Sequence, residues 1–170
     1  MWACRIAVFL IFLTSSLAYA GQEMLQIATR PGVTVKVLLQ TPDTASKGLL
    51  LLLPGGTGAG HFGGTVQNVS LGNNFLVRSS SLFVQHGYAA AIIDVPSDHL
   101  DGMSDAFRTS VEHTTDIQKV IDTLAFRGLG KVFLVGTSRG TISAVHFAAA
   151  LKSELVSGLV LTATLGSVAH

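Results

Sequence analysis

The sequence is poor in charge, almost without cysteine and lacks any basic cluster. Asp, Glu, Lys and Arg make up 12% of its 170 residues, and the formal net charge is +1. Phosphate backbones are held by clustered Lys and Arg, so nucleic acid is not expected as a partner. The single cysteine is Cys4. A chain cleaved beyond it has no thiol, which excludes a disulfide, a thiolate metal site and a cysteine nucleophile. No Gly-Lys-Ser/Thr follows the glycines, which excludes a Walker phosphate loop. What the chain has in quantity is apolar residues, 48% of the total. That suffices for one domain with a real core and is too little for two. The aliphatic runs suggest an α/β protein with buried strands.

Residues 1–20 have the form of a secretory signal peptide. Arg5 supplies a positive start, Ile6 to Leu13 an apolar core, and Ala18-Tyr19-Ala20 a small-x-small cleavage site before Gly21. The apolar core is too short to span a bilayer comfortably, although an uncleaved anchor is the alternative. Cleavage after Ala20 removes Arg5 and leaves ten basic against ten acidic residues. The mature domain is expected over residues 21–170, secreted or periplasmic, with no membrane attachment after cleavage.

Met24–Thr29 and Val33–Thr41 read as strands joined by the turn Arg30-Pro31-Gly32; Val33, Val35, Val37 and Leu39 alternate with Thr34, Lys36 and Leu38, the pattern of an antiparallel pair. Gly48–Leu53 is apolar on both faces and predicts a central parallel strand. A Gly-rich segment, Pro54 to Gly64, follows and frees backbone N–H groups to approach a ligand. A helix is predicted from Phe75 to His86, capped by Asn73 or Asn74, with Phe75, Leu76, Leu82 and Phe83 as apolar contacts and Gly87 as its stop. Tyr88–Asp94 is another buried strand, and Val95–Phe107 reads as a loop. Thr109-Ser-Val-Glu112 reads as a capping box with Thr109 as the cap, opening a helix with Ile117, Val120, Ile121 and Leu124 at helical spacing and ending at Gly128. Val156–Ala163 is a further strand that reads as buried. Strands and helices alternate from Leu49 onward, which predicts a mostly parallel sheet with helices on both faces.

The chemistry centres on Lys131 to Ser143. Val132–Val135 is a short, continuous apolar run rich in β-branched residues, Gly136-Thr137-Ser138-Arg139-Gly140 matches Gly-x-Ser-x-Gly, and Thr141–Lys152 runs helically, with Ile142, Val145, Ala149 and Leu151 on or near one face. Strand, sharp turn and helix in this order form a nucleophile elbow, with the serine in a strained conformation at its apex. Serine needs a base and donors for the developing oxyanion. The elbow supplies the N–H of the residue after the serine, Arg139, and the best-placed second donor is the N–H of Gly56, with Thr57 as neighbour.

With these residues in hand, the chain resembles the α/β-hydrolases over about Met24 to Gly166. The resemblance implies an α/β-hydrolase fold, Ser138 as nucleophile and an oxyanion hole from the N–H groups of Gly56 and Arg139, acting without cofactor on a small-molecule ester, thioester or amide. Pro54 stands where many members carry histidine; the donors are on the backbone and survive. The larger departure is that the family's triad runs Ser, then Asp or Glu, then His. After Ser138 this sequence offers Glu154, His146 and His170, none at a fitting position. The expectation is a C-terminally incomplete hydrolase lacking the last strands, inactive as given, with Val156–Ala163 left as a bare apolar sheet edge. A non-catalytic binding protein of the same fold is the competing reading.

Other residues carry blander expectations. Asp94 is expected to brace loops. Asp98, His99 and Asp101 have ligand-like chemistry but no second cluster, so no metal is expected. His113 and Asp116 are expected to be solvated or bracing; lining the pocket is the weaker reading of His61, and contact with a substrate carboxylate the weaker reading of the Arg139 side chain. Gly58-Ala-Gly60-His-Phe-Gly63 matches a dinucleotide fingerprint literally, but it neither starts at the strand end nor opens a helix, and Asp94 is too distant.

Overall fold

A computed structural model of the chain describes residues 21–62, 74–150, 154 and 156–164. Residues 1–20, read above as a signal peptide, Gly63 and Gly64, Asn73, Leu151 and Lys152, and residues 165–170 with His170 lie outside the described residues.

A six-stranded sheet organises the molecule: β1 (Gly21–Arg30), β2 (Val33–Thr41), β3 (Leu49–Leu53), β4 (Ala89–Pro96), β5 (Val132–Thr137) and β6 (Val156–Thr162), in spatial order β1-β2-β4-β3-β5-β6. The β1–β2 and β2–β4 pairs are antiparallel; β4, β3, β5 and β6 run parallel. The helices are α1 (Phe75–Gln85), the short α2 (Asp105–Arg108), α3 (Val111–Ala125) and α4 (Gly140–Ala150). The sheet is therefore mostly parallel with helices on both faces, as the sequence pattern predicts.

The apolar strand runs divide their side chains by the period of two. Val37 and Leu39, Leu49, Leu51 and Leu53, Ala91 and Ile93, and Leu134 face a core closed by Ile117, Val120, Ile121 and Leu124 of α3 and Ala144 and Phe147 of α4. Leu38, Leu52, Ala90, Ile92 and Val135 face the opposite layer, closed by Leu76 and Val77 of α1 and by Phe62. Every residue of β4 is buried. A strand covered twice has no polar face, so its sequence cannot alternate.

Several expectations need correction. The stretch after β4 is not wholly loop: β4 continues to Pro96, and Ser104 caps α2, accepting from Phe107 N–H at 3.1 Å. Ser110, not Thr109, caps α3, accepting from His113 N–H at 3.1 Å. Thr109 is already committed as the end of α2, its hydroxyl donating back to the Ala106 carbonyl at 3.0 Å. Phe75 and Leu82 are exposed and Val77 takes the buried place on α1. On α4, Val145 and Ala149 are exposed, and Ile142, Ala144 and Phe147 carry the packing. Strand β6 is not buried: Leu159, Val160 and Leu161 are all exposed at the sheet edge. Of the two readings of His113 and Asp116, bracing holds and solvated does not: both are buried, Asp116 against Arg30 and His113 against Ser143.

Candidate active site

Parallel strands β3 and β5 end side by side, with Leu53 opposite Gly136. The loops leaving these carboxyl ends meet there, the usual place for a ligand in an open α/β sheet. Ser138 follows β5 directly and has φ +50°, the left-handed region that a serine rarely occupies. Three glycines make that turn possible by close approach. A Cβ at Gly136 would lie 2.8 Å from the Gly140 carbonyl oxygen, and one at Gly55 would lie 2.9 Å from Ser138 Cβ. A Cβ at Gly140 would overlap the Leu53 carbonyl oxygen outright.

The turn is locked on every side. Ser138 N–H donates to the Thr162 carbonyl of β6 at 3.0 Å. The Ser138 carbonyl accepts from Thr141 N–H at 2.9 Å and from Thr141 Oγ1 at 2.6 Å. Helix α4 begins two residues later, so its positive end faces the serine. The φ strain at Ser138, of order 1–3 kcal/mol, persists because these contacts over-determine it.

Opposite Ser138 lies the glycine loop, and between them opens a cleft of about 410 Å³ lined by Gly56, Thr57, Phe62, Phe75 and Ser138 among others. Gly56 has φ +63°. Among the described residues, no hydrogen bond engages the N–H of Gly56 or of Arg139. Asp94 braces the loop from beneath, accepting from Gly60 N–H at 2.7 Å, Phe62 N–H at 3.0 Å and Val95 N–H at 2.8 Å. Lys36 Nζ donates to the Phe62 carbonyl at 2.7 Å. Residues Gly58 to Phe62 are themselves not helical.

Helix α2, which the sequence reading missed, grips both sides of the cleft. Asp105 holds the Arg139 guanidinium, with Nε 2.9 Å from Oδ1 and Nη2 3.3 Å from Oδ2. That side chain is therefore committed rather than available to a substrate. Arg108 is buried and donates from Nη2 to the Gly56 carbonyl at 3.1 Å and from Nη1 to Ser143 Oγ at 3.0 Å. Burial pulls the Arg108 pKa down to about 10, opposed by nearby Asp105, so it remains a cation at neutral pH. Ser143 Oγ lies 2.9 Å from Nε2 of buried His113. Since arginine only donates, the hydroxyl is free to donate to the imidazole. Burial, then the Arg108 charge, lowers the His113 pKa to about 3.

The remaining predicted residues lie elsewhere. His61, at φ +46°, lines a separate cavity of about 80 Å³ with Lys36, Asp94 and Leu100. Asp98 and Asp116 share Arg30, each with an oxygen 2.9 Å from its guanidinium. His99 stacks on Phe107 with ring centroids 3.7 Å apart. Among the described residues no group of three or more His, Cys, Asp or Glu is placed to hold a metal, and no helix is long and apolar enough to cross a membrane. His146 faces a groove between α3 and α4 with Val111 and Lys119, away from Ser138. The described lining of the Ser138 cleft contains no histidine and no carboxylate.

Solved structures share this fold. Proline iminopeptidase of Mycobacterium smegmatis matches with a TM-score of 0.58 at 17% identity, over 81% of this chain and 42% of that one. An esterase from Rhodococcus sp. matches with a TM-score of 0.57 at 17% identity, over 86% of this chain and 47% of that one. A Xanthomonas campestris protein described as an α/β serine hydrolase without lid matches with a TM-score of 0.55 at 16% identity, over 82% of this chain and 60% of that one. The fold is accordingly that of the α/β hydrolases, and the chain spans about half the length of the structures it matches. No family model and no curated protein matches the sequence.

Proposed function

We propose that this chain carries the nucleophile and oxyanion side of a serine hydrolase. Ser138 Oγ attacks the carbonyl carbon of an ester, thioester or amide, and the N–H groups of Gly56 and Arg139 hold the oxygen as it becomes negative. Collapse expels the alcohol, thiol or amine and leaves an acyl group on Ser138, which water then removes. The observation that carries this reading is a serine held at φ +50° between a strand and a helix, facing a glycine loop. The proton of Ser138 must pass to a base, and a histidine oriented by a carboxylate is the usual arrangement. We assign that pair to chain outside the described residues. Residues 1–20 further suggest export, with the site secreted or periplasmic; Gly21 as the first residue of protein recovered outside the cytoplasm tests this, and retained residues 1–20 there would refute the cleavage.

A second reading, ligand binding without turnover, is favoured by the lack of histidine and carboxylate in the described cleft lining. A fluorophosphonate probe separates the two. Labelling that Ser138→Ala abolishes while the melting temperature is kept supports the hydrolase. A folded, full-length protein that never labels supports the binding reading.

A further inference from the structure

Gly56 is a weak point in the cleft wall. Its φ of +63° favours glycine, and a Cβ there would meet nothing within 4 Å, so no side-chain packing holds the residue in place. Its conformation depends on hydrogen bonds. The Gly55 carbonyl accepts from Gly58 N–H at 3.1 Å, and the Gly56 carbonyl accepts from Arg108 Nη2 at 3.1 Å. A trans peptide points its C=O and the following N–H in opposite directions. Fixing the two carbonyls therefore fixes the directions of the Gly56 and Thr57 N–H groups, which belong to the cleft wall.

Arg108 is an expensive way to hold a carbonyl. It is only 1% exposed, and among the described residues no carboxylate lies within ion-pair distance of it. A buried cation without an ion pair is costly, and a hydrophobic residue of similar volume would pack the site more stably. The loop is also shaped around the guanidinium: a Cβ at Gly58 would lie 2.7 Å from Arg108 Nη2.

We propose that Arg108 is a positioning residue for the oxyanion side of the cleft: it locks the Gly56–Thr57 peptide, whose N–H is that of Thr57, and by pinning Gly56 on its carboxyl side restrains the adjoining Gly56 N–H before a substrate arrives. Preorganised donors cost no reorganisation as charge develops, and a fixed positive charge behind the peptide favours the anion as well. The catalytic consequence rests on the hydrolase reading of Ser138; the structural one does not.

The test compares Arg108→Met with Arg108→Lys in the full chain. Both variants lose the guanidinium fork, and only lysine keeps a charged donor for the Gly56 carbonyl. In Arg108→Met the Gly56 carbonyl 13C resonance should move upfield and the Thr57 15N resonance with it. The maximal rate of Ser138 phosphonylation by a fluorophosphonate, with fluoride expelled, should fall ~100-fold, with the half-saturating probe concentration within about two-fold. Arg108→Lys should keep both readouts nearer the wild type. An unmoved Gly56 resonance in folded Arg108→Met, or identical behaviour of the two variants, overturns the proposal. If Arg108→Met does not fold, Ser143→Ala replaces it, because it frees Nη1 and loosens the same guanidinium; the Gly56 resonance should then shift in the same direction, and its constancy overturns the proposal. A folded wild type that never labels removes the hydrolase reading, and the Gly56 resonance still decides this one.

Discussion

Lowering the pH should weaken this fold through one imidazole. His113 is buried, its Nε2 lies 2.9 Å from Ser143 Oγ, and it lies near the Arg108 cation. Protonation would place a second positive charge inside. Its pKa falls from the ordinary 6.5 to about 3 in the native state. Between those values the unfolded chain binds a proton that the native chain refuses, so stability is fully present above pH 6.5 and declines as pH falls toward 3. The slope is about 1.4 kcal/mol per pH unit, or roughly 3 kcal/mol between about pH 6.5 and 4.5. With a urea m-value of about 1–3 kcal/mol/M, the midpoint should drop by roughly 1–3 M. Asp98 acts elsewhere on the scale. Its hydrogen bond to Arg30 lowers its pKa from 3.8 to about 2, so its contribution is kept above about pH 4 and lost below. The assay is urea unfolding by far-UV circular dichroism at several pH values, since the only tryptophan is Trp2. His113→Gln keeps an acceptor for Ser143 and cannot titrate. It should be the less stable protein at pH 7.5 by about 1–2 kcal/mol, and the gap should close or reverse by about pH 4.5. Parallel decline of the two proteins across that range would refute the reasoning.

Two further outcomes follow from the contacts around the cleft. Gly140→Ala forces a methyl group into the Leu53 carbonyl and should cost about 3 kcal/mol or more in urea unfolding; a loss under about 1 kcal/mol would mean that β3 and α4 can separate freely. Asp94→Ala removes the acceptor for Gly60 and Phe62 N–H and should destabilise by about 2–3 kcal/mol, with faster amide exchange at both positions; unchanged exchange would show that the loop is held by other means.

The sheet was legible in the sequence because burial on both faces leaves an unmistakable mark. Leu49 to Leu53 and Ala89 to Ile93 have no polar position to confuse the pattern. The elbow was legible because its constraint is local: Gly136, Ser138 and Gly140 sit within five consecutive residues. The clamp around it was not. Arg108 reaches Ser143 across 35 residues and Gly56 across 52, and Asp105 meets Arg139 across 34. Nothing in the segment Asp105-Ala-Phe-Arg108 announces those partners. The misplaced α3 cap has a different origin. Thr109 and Ser110 are both good caps, and the choice between them fell to the end of α2, which had already engaged Thr109.

The strand order carries a consequence for how the chain assembles. Strands β2 and β3 are consecutive in sequence but not neighbours in the sheet; β4 lies between them. Among the described residues the β1–β2 hairpin is hydrogen-bonded to the parallel strands through β4, along Val35–Gln40 and Ala90–Pro96. As the chain emerges from its amino end, that hairpin has no sheet to join until Pro96 has appeared. It must wait as an isolated ribbon, and such two-stranded ribbons are only marginally stable in water. Its docking is therefore a later event than its synthesis, and it needs β4 to remain open to it, unclaimed by any other strand.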